Sequence, residues 1–113
     1  MMLIRYTPEA EDDLKDIKRY ISEDRNSPIA ALNTVAKITI RIKILEQFPE
    51  LGAKLSSIID IITDYRFLVC GSYTAFYRHE SDIVHVIRIL HSRRDFMNIL
   101  FGHLPENDTE PTD

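Results

Sequence analysis

Residues 28–49 read PIAALNTVAKITIRIKILEQFP, and the fold depends on how this stretch is assigned. Ile38, Ile40, Ile42 and Ile44 alternate with Thr39, Arg41 and Lys43, the period of a strand. Ala31, Val35, Ile38, Ile42 and Leu45 form an equally good stripe at helical spacing. Length decides between them. The segment is started by Ser27-Pro28 and stopped by Phe48-Pro49, and it is far longer than a typical strand. It reads as a helix.

Upstream, Thr7-Pro8 is a second start signal, with threonine able to cap and proline suited to the first helical position. Glu9, Glu11 and Asp12 crowd the first turn, where carboxylates favour the positive end of the helix dipole. Ala10, Leu14, Ile17 and Ile21 make one apolar stripe, so this helix runs to about Glu23. With about three residues between them, the two helices form an antiparallel hairpin. Leu3–Tyr6 precedes them as a short strand. Downstream, Glu50–Ser57 is a loop and the pattern then turns β-like. Tyr65–Cys70 and Tyr73–His79 flank Gly71-Ser72, a two-residue hairpin turn. After a turn at Glu80-Ser81-Asp82, Ile83–His91 forms the longest strand. Strict alternation puts Val84, Val86, Arg88 and Leu90 on one face and Ile83, His85, Ile87, Ile89 and His91 on the other. Both faces are largely apolar, as in a central strand. Asp95 caps a last helix, Phe96–Phe101, which Gly102 ends. The expected class is α+β: an N-terminal strand, a helical hairpin on an antiparallel sheet, and a short C-terminal helix, in the order β-α-α-β-β-β-α.

The 113 residues suit one domain, assigned to 1–104. The remainder, 105–113, is polar and acidic and reads as a disordered tail. No apolar run is long enough to span a bilayer, and the acid-rich start does not resemble a signal peptide. The single cysteine, Cys70, leaves no internal disulfide and fits a reducing compartment, so the expected location is cytoplasmic, with no membrane partner. The formal charge of −4 is unevenly spread: −3 over residues 1–24, +3 over 25–104 and −4 over 105–113. Residues 1–104 are therefore neutral, which is unpromising for a nucleic-acid-binding face.

Three glycines, at 52, 71 and 102, cannot build a nucleotide-binding loop, and no nucleophile–histidine–acid set is signalled. His85 and His91 stand about 20 Å apart along one strand and cannot share an ion. His79 on the neighbouring strand approaches His85 only as a chance pair. No metal or cofactor is expected. Two groups remain. His91-Ser92-Arg93-Arg94-Asp95, at the end of the longest strand, is suited to gripping an anion, or is a solvated turn in which Asp95 caps a helix and pairs with an arginine. Arg66 and Arg78, with Tyr65, Tyr73 and Tyr77 interleaved, suit stacking on nucleic acid, or are cross-strand packing.

Tyr6-Thr7-Pro8-Glu9-Ala10 with Asp13-Leu14, Asp16-Ile17 and Tyr20-Ile21 resembles the opening of ParE/RelE-superfamily toxins of bacterial type II toxin–antitoxin modules. Phe48-Pro49-Glu50-Leu51-Gly52 is similar to the family's loop after its second helix. Tyr65–Val69 with Tyr73–Arg78 resembles its middle hairpin. Arg88–Asp95 is similar to the ending of the ParE branch, the plasmid stabilisation proteins. The four motifs fall in family order across residues 3–101.

The resemblance implies one of two activities. RelE-like members cleave mRNA on the ribosome without a metal, using basic side chains and a late tyrosine or histidine; the candidates here are Arg66, His91 and Arg93. Thr74, Leu68 and Met97 stand where an arginine, a lysine and the tyrosine would be looked for, which argues against cleavage. ParE-like members inhibit DNA gyrase by binding, without catalysis, and this branch is the expected one. The implied target-binding residues are Arg66, Tyr73, Tyr77, Arg78, His91, Arg93 and Arg94. A third reading is a degenerate, non-toxic antitoxin-binding module. The implied partners are a cognate antitoxin wrapping the helical hairpin and sheet, DNA gyrase or alternatively the ribosome and mRNA, and operator DNA only through the antitoxin complex. The resemblance assigns no antitoxin-contacting residue.

Overall fold

The computed structural model describes residues 1–102; the tail expected to be disordered, 105–113, lies outside them. The elements are β1 (Leu3–Tyr6), α1 (Pro8–Arg19), α2 (Pro28–Lys43), β2 (Ala53–Lys54), β3 (Arg66–Cys70), β4 (Tyr73–Glu80), β5 (Ile83–His91) and α3 (Phe96–Phe101). A wider π turn over Tyr20–Asp24 prolongs α1, and a 3-10 turn over Ile44–Glu46 prolongs α2. The stop and start signals act as expected. Thr7 and Ser27 accept the Ala10 and Ala30 amides at 3.0 and 3.3 Å, and each is followed by proline. Residues 28–43 are helical, and the choice of stripe is visible in the burial: Ala31, Ile38, Ile42 and Leu45 are inside, while Ile40 is 65% exposed.

The sheet order is β1-β5-β4-β3-β2. The α+β architecture is the expected one, but the sheet is mixed: β1 runs parallel to β5, and the two-residue β2 adds an edge to β3. The helical hairpin carries the chain away after β1, and the β3–β4 hairpin returns it so that β5 enters beside β1 in the same direction. Ala10, Ile17, Ala31, Ile38, Ala75, Val84 and Val86 belong to the core between hairpin and sheet. A smaller cluster around Leu55, Phe76 and Leu90 fills the opposite face beneath α3. No helix among the described residues is long and apolar enough to cross a membrane.

The alternation expected along β5 fails at its centre. Tyr77 pairs with Val86 and Phe76 with Arg88, so Ile87 is left as an unpaired bulge. Beyond it the phase inverts: Ile89 joins Val84 and Val86 in the hairpin-side core, and Leu90 joins the opposite cluster. His85 and His91 consequently do not share a face. His79 pairs with Val84 and His85 with Arg78, so these two histidines also diverge.

The bulge is held from α1. The Thr7 hydroxyl donates to the Ile87 carbonyl at 2.8 Å, and the Thr7 amide donates to Val86 O at 3.0 Å. Nearly two turns later, Asp13 takes both Arg88 Nε and Nη2, at 2.8 and 2.9 Å, and the Ile89 amide at 2.9 Å. Asp13 is buried, and its bonds to Arg88 raise the guanidinium pKa further. Removing one partner of such a pair strands the other without its counter-charge. We therefore expect Asp13→Ala to lower stability by about 2–4 kcal/mol, read as a denaturation midpoint shift. An exposed-site control, Asp12→Ala, should leave the midpoint nearly unchanged.

Candidate functional site

Residues 91–95 leave β5 as a tight turn fixed at its base. Arg94 N donates to His91 O at 2.9 Å, and Arg93 N donates to His91 Nδ1 at 3.2 Å. Ser92 N donates to Ser72 O at 2.9 Å, tying the turn to the β3–β4 hairpin, and its hydroxyl pairs with that of Thr74 at 3.1 Å. The His91 ring meets Tyr73 edge-on at 5.4 Å. Asp95 does not neutralise either arginine. Its two oxygens accept the Asn98 amide at 3.4 Å and the Asn98 side-chain nitrogen at 2.7 Å, which caps α3. Among the described residues the Arg93 and Arg94 side chains have neither a hydrogen bond nor an ion pair, and both are exposed. Asp95 thus caps α3 but pairs with neither arginine, and the exposed turn presents two guanidinium groups that are uncompensated among the described residues.

The other group predicted from sequence does not assemble. Tyr77 is 0% exposed. Its hydroxyl donates to Pro49 O at 2.7 Å and accepts the Gly52 amide at 2.9 Å. Burial raises its pKa, partly offset by the Gly52 amide. Gly52 is required there, since a Cβ would come within 2.6 Å of Phe67 O and 2.7 Å of the Tyr77 ring. Tyr77 thus fastens the loop after α2 and is not available to a partner. Arg66, opposite Tyr77, donates to Gly52 O at 2.8 Å and Glu50 O at 3.3 Å, fixing the same loop. Arg78 projects from the other face, because it follows Tyr77 in the strand. It is compensated by Asp64 and Glu80, both at 3.0 Å, and the Asp64 bond is the main reason its pKa is raised.

The three cleavage candidates are separated as well. Arg66 pairs at the Tyr77 level of β4, and His91 at the Tyr73 level, two strands across the sheet. The offset is about 13 Å along the strands and about 10 Å across them. Only His91 and Arg93 are neighbours. Thr74 and Leu68 are buried, so the positions where the RNases carry arginine and lysine face inward here.

Two cations that sequence reasoning missed stand near the corner. Arg25 and Lys37 line a cleft of about 1000 Å³ between the hairpin and the sheet, together with Arg94, Ile17, Tyr20 and Tyr73. Burial raises the Tyr73 pKa, with Tyr20 adding to the effect and Arg25 opposing it. No local pattern marks Arg25 or Lys37; the helix crossing alone brings them to this site.

Residues 4–96 match the sequence profile of the family described as "ParE toxin of type II toxin-antitoxin system, parDE". No curated protein matches the chain. Among solved structures it is similar to one described as "Chromosomal ParDE TA system from P. aeruginosa", at 26% identity and a TM-score of 0.65, over 80% of this chain and 96% of that one. A second, described as "crystal structure of YafQ from E.coli strain BL21(DE3)", covers 90% of this chain and 100% of its own, but at 13% identity and a TM-score of 0.44 it is too distant to carry an argument. The profile match spans both the helical hairpin and the strand that presents the arginine corner, and on that ground the chain belongs to the ParE toxin family of type II toxin–antitoxin systems.

Proposed function

We propose that this chain inhibits DNA gyrase by binding it, and that a cognate antitoxin restrains it by covering the helical hairpin. The observation that carries the first part is the free pair Arg93–Arg94 on a rigid turn, beside cleavage candidates that do not converge. A binding toxin needs a presented surface. An RNase needs several cations and a proton-transfer group focused on one phosphate. The exposed arginine pair, apart from Arg66, favours the first. Neutrality over residues 1–104 supports a protein target in the same way.

The antitoxin reading rests on α2. Its inward stripe is core, yet the outer side carries Ile29, Leu32 and Ile40, which are 73%, 58% and 65% exposed. Apolar side chains on the outer side of a surface helix, in addition to its core stripe, leave a second apolar strip uncovered. The stripe continues through Ile44 and Phe48, both exposed. Lys37, Arg41 and Lys43 are the only charged residues between 28 and 43. A covering segment of matching chemistry is apolar and acidic, and folds as it binds.

Expression without antitoxin tests the target. DNA breaks and trapped gyrase–DNA complexes, with protein synthesis initially continuing, are the expected result. Rapid translation arrest with cleaved mRNA would make the chain an mRNA interferase, and no growth effect would make it a binding-only module. Replacing Arg93 and Arg94 together by alanine should abolish toxicity while copurification with the antitoxin persists. Leu32→Lys with Ile40→Lys should do the reverse, weakening antitoxin binding by at least about tenfold, since two apolar anchors are lost, and leaving toxicity intact.

A further inference from the structure

On the sheet face away from the hairpin, α3 covers only part of the surface. Phe96 stacks on Phe76 at 5.3 Å, and Phe101 on Tyr65 at 5.7 Å. Beside the start of α3 a cavity of about 350 Å³ remains, within the range of ligand-binding clefts. Leu55, Phe67, Val69, Phe76 and Phe96 line it, and Arg94 lies at the same cavity. Val69 is more than half exposed there. Hydroxyls at the cavity, those of Thr74 and Ser92, satisfy each other at 3.1 Å, and His91 Nδ1 is taken by the Arg93 amide. Among the described residues, the polar side-chain groups of this cavity left without a hydrogen-bond or ion-pair partner are the Arg94 guanidinium, the one full charge, and His91 Nε2.

We propose that this cavity is an anchor site for one bulky apolar side chain of the target protein, with an adjacent carboxylate held by Arg94. The assignment rests on the reading of the chain as a toxin that binds a protein. An apolar lining with one cation at its edge fits an apolar body bearing a single anion. A nucleobase fits less well, because it would set several polar edge groups against a lining that is mostly apolar. Arg94 lines both the cleft on the hairpin side and this cavity, so the turn after β5 stands between the two.

The probe is phenylpropionate, a benzene ring tethered to a carboxylate, titrated into the isotope-labelled full chain at millimolar concentration. Amide shifts should centre on Phe67, Val69, Phe76 and Arg94. Phenylpropanol, which lacks the charge, should bind about three- to fivefold more weakly, the scale of one exposed ion pair. Arg94→Gln should erase that preference without abolishing alcohol binding, and Val69→Trp, which fills the mouth, should abolish both. Shifts elsewhere, equal affinity for acid and alcohol, or displacement of the probe by oligouridylate would overturn the proposal. In cells, Val69→Trp should lose growth inhibition while still copurifying with antitoxin; undiminished inhibition would also overturn it. Neither arm depends on gyrase being the target, so a failure of that identification is distinguishable from a failure of the anchor site.

Discussion

The hydrogen bonds from Thr7 and Asp13 to the bulge of β5 hold the rest of the molecule in register. A bulge inserts one residue and leaves local backbone groups without their ladder partners. Here α1 supplies replacements: a hydroxyl for the Ile87 carbonyl and a carboxylate for the Ile89 amide. The same carboxylate holds Arg88 through two further bonds. One helix face thereby sets the phase of the central strand. That phase decides which of Ile89 and Leu90 enters which core, and where His91 and the arginine turn emerge.

The site follows from this arrangement. His91 comes out beside Tyr73, its ring accepts the Arg93 amide, and Ser92 locks onto the β3–β4 turn. The backbone constraints are on the turn's base, and among the described residues the arginine side chains have no hydrogen-bond or ion-pair partner. Asp95, the nearest acid in sequence, is committed to capping α3. Preorganisation of this kind reduces the ordering cost of binding.

Local chemistry made much of the fold legible in the sequence. Thr7-Pro8, Ser27-Pro28, Gly71-Ser72, Asp95 and Gly102 act at the positions where their side chains or backbone freedom require. The bulge was not legible, because Ile87 is neither glycine nor proline, and the bonds that hold the bulge, Thr7 to Ile87 and Ile89 to Asp13, join residues 80 and 76 apart in sequence. Parallel pairing of β1 with β5 is equally non-local. The arginine corner was legible as a contiguous run ending a strand. Tyr77 stays open between stacking and packing in the sequence, because a tyrosine in a β pattern looks the same whether its hydroxyl meets solvent or a loop carbonyl. Burial and the Gly52 contact separate the two, and both are properties of the folded chain.

The outer face of α2 bears on how long the chain persists on its own. Isoleucine and leucine side chains left in water attract any similar surface, and a second molecule is the most abundant one in a concentrated sample. Loss of the free chain is then a collision process whose rate rises with the square of concentration, whereas unfolding is first order. Dilute chains outlast concentrated ones at the same temperature.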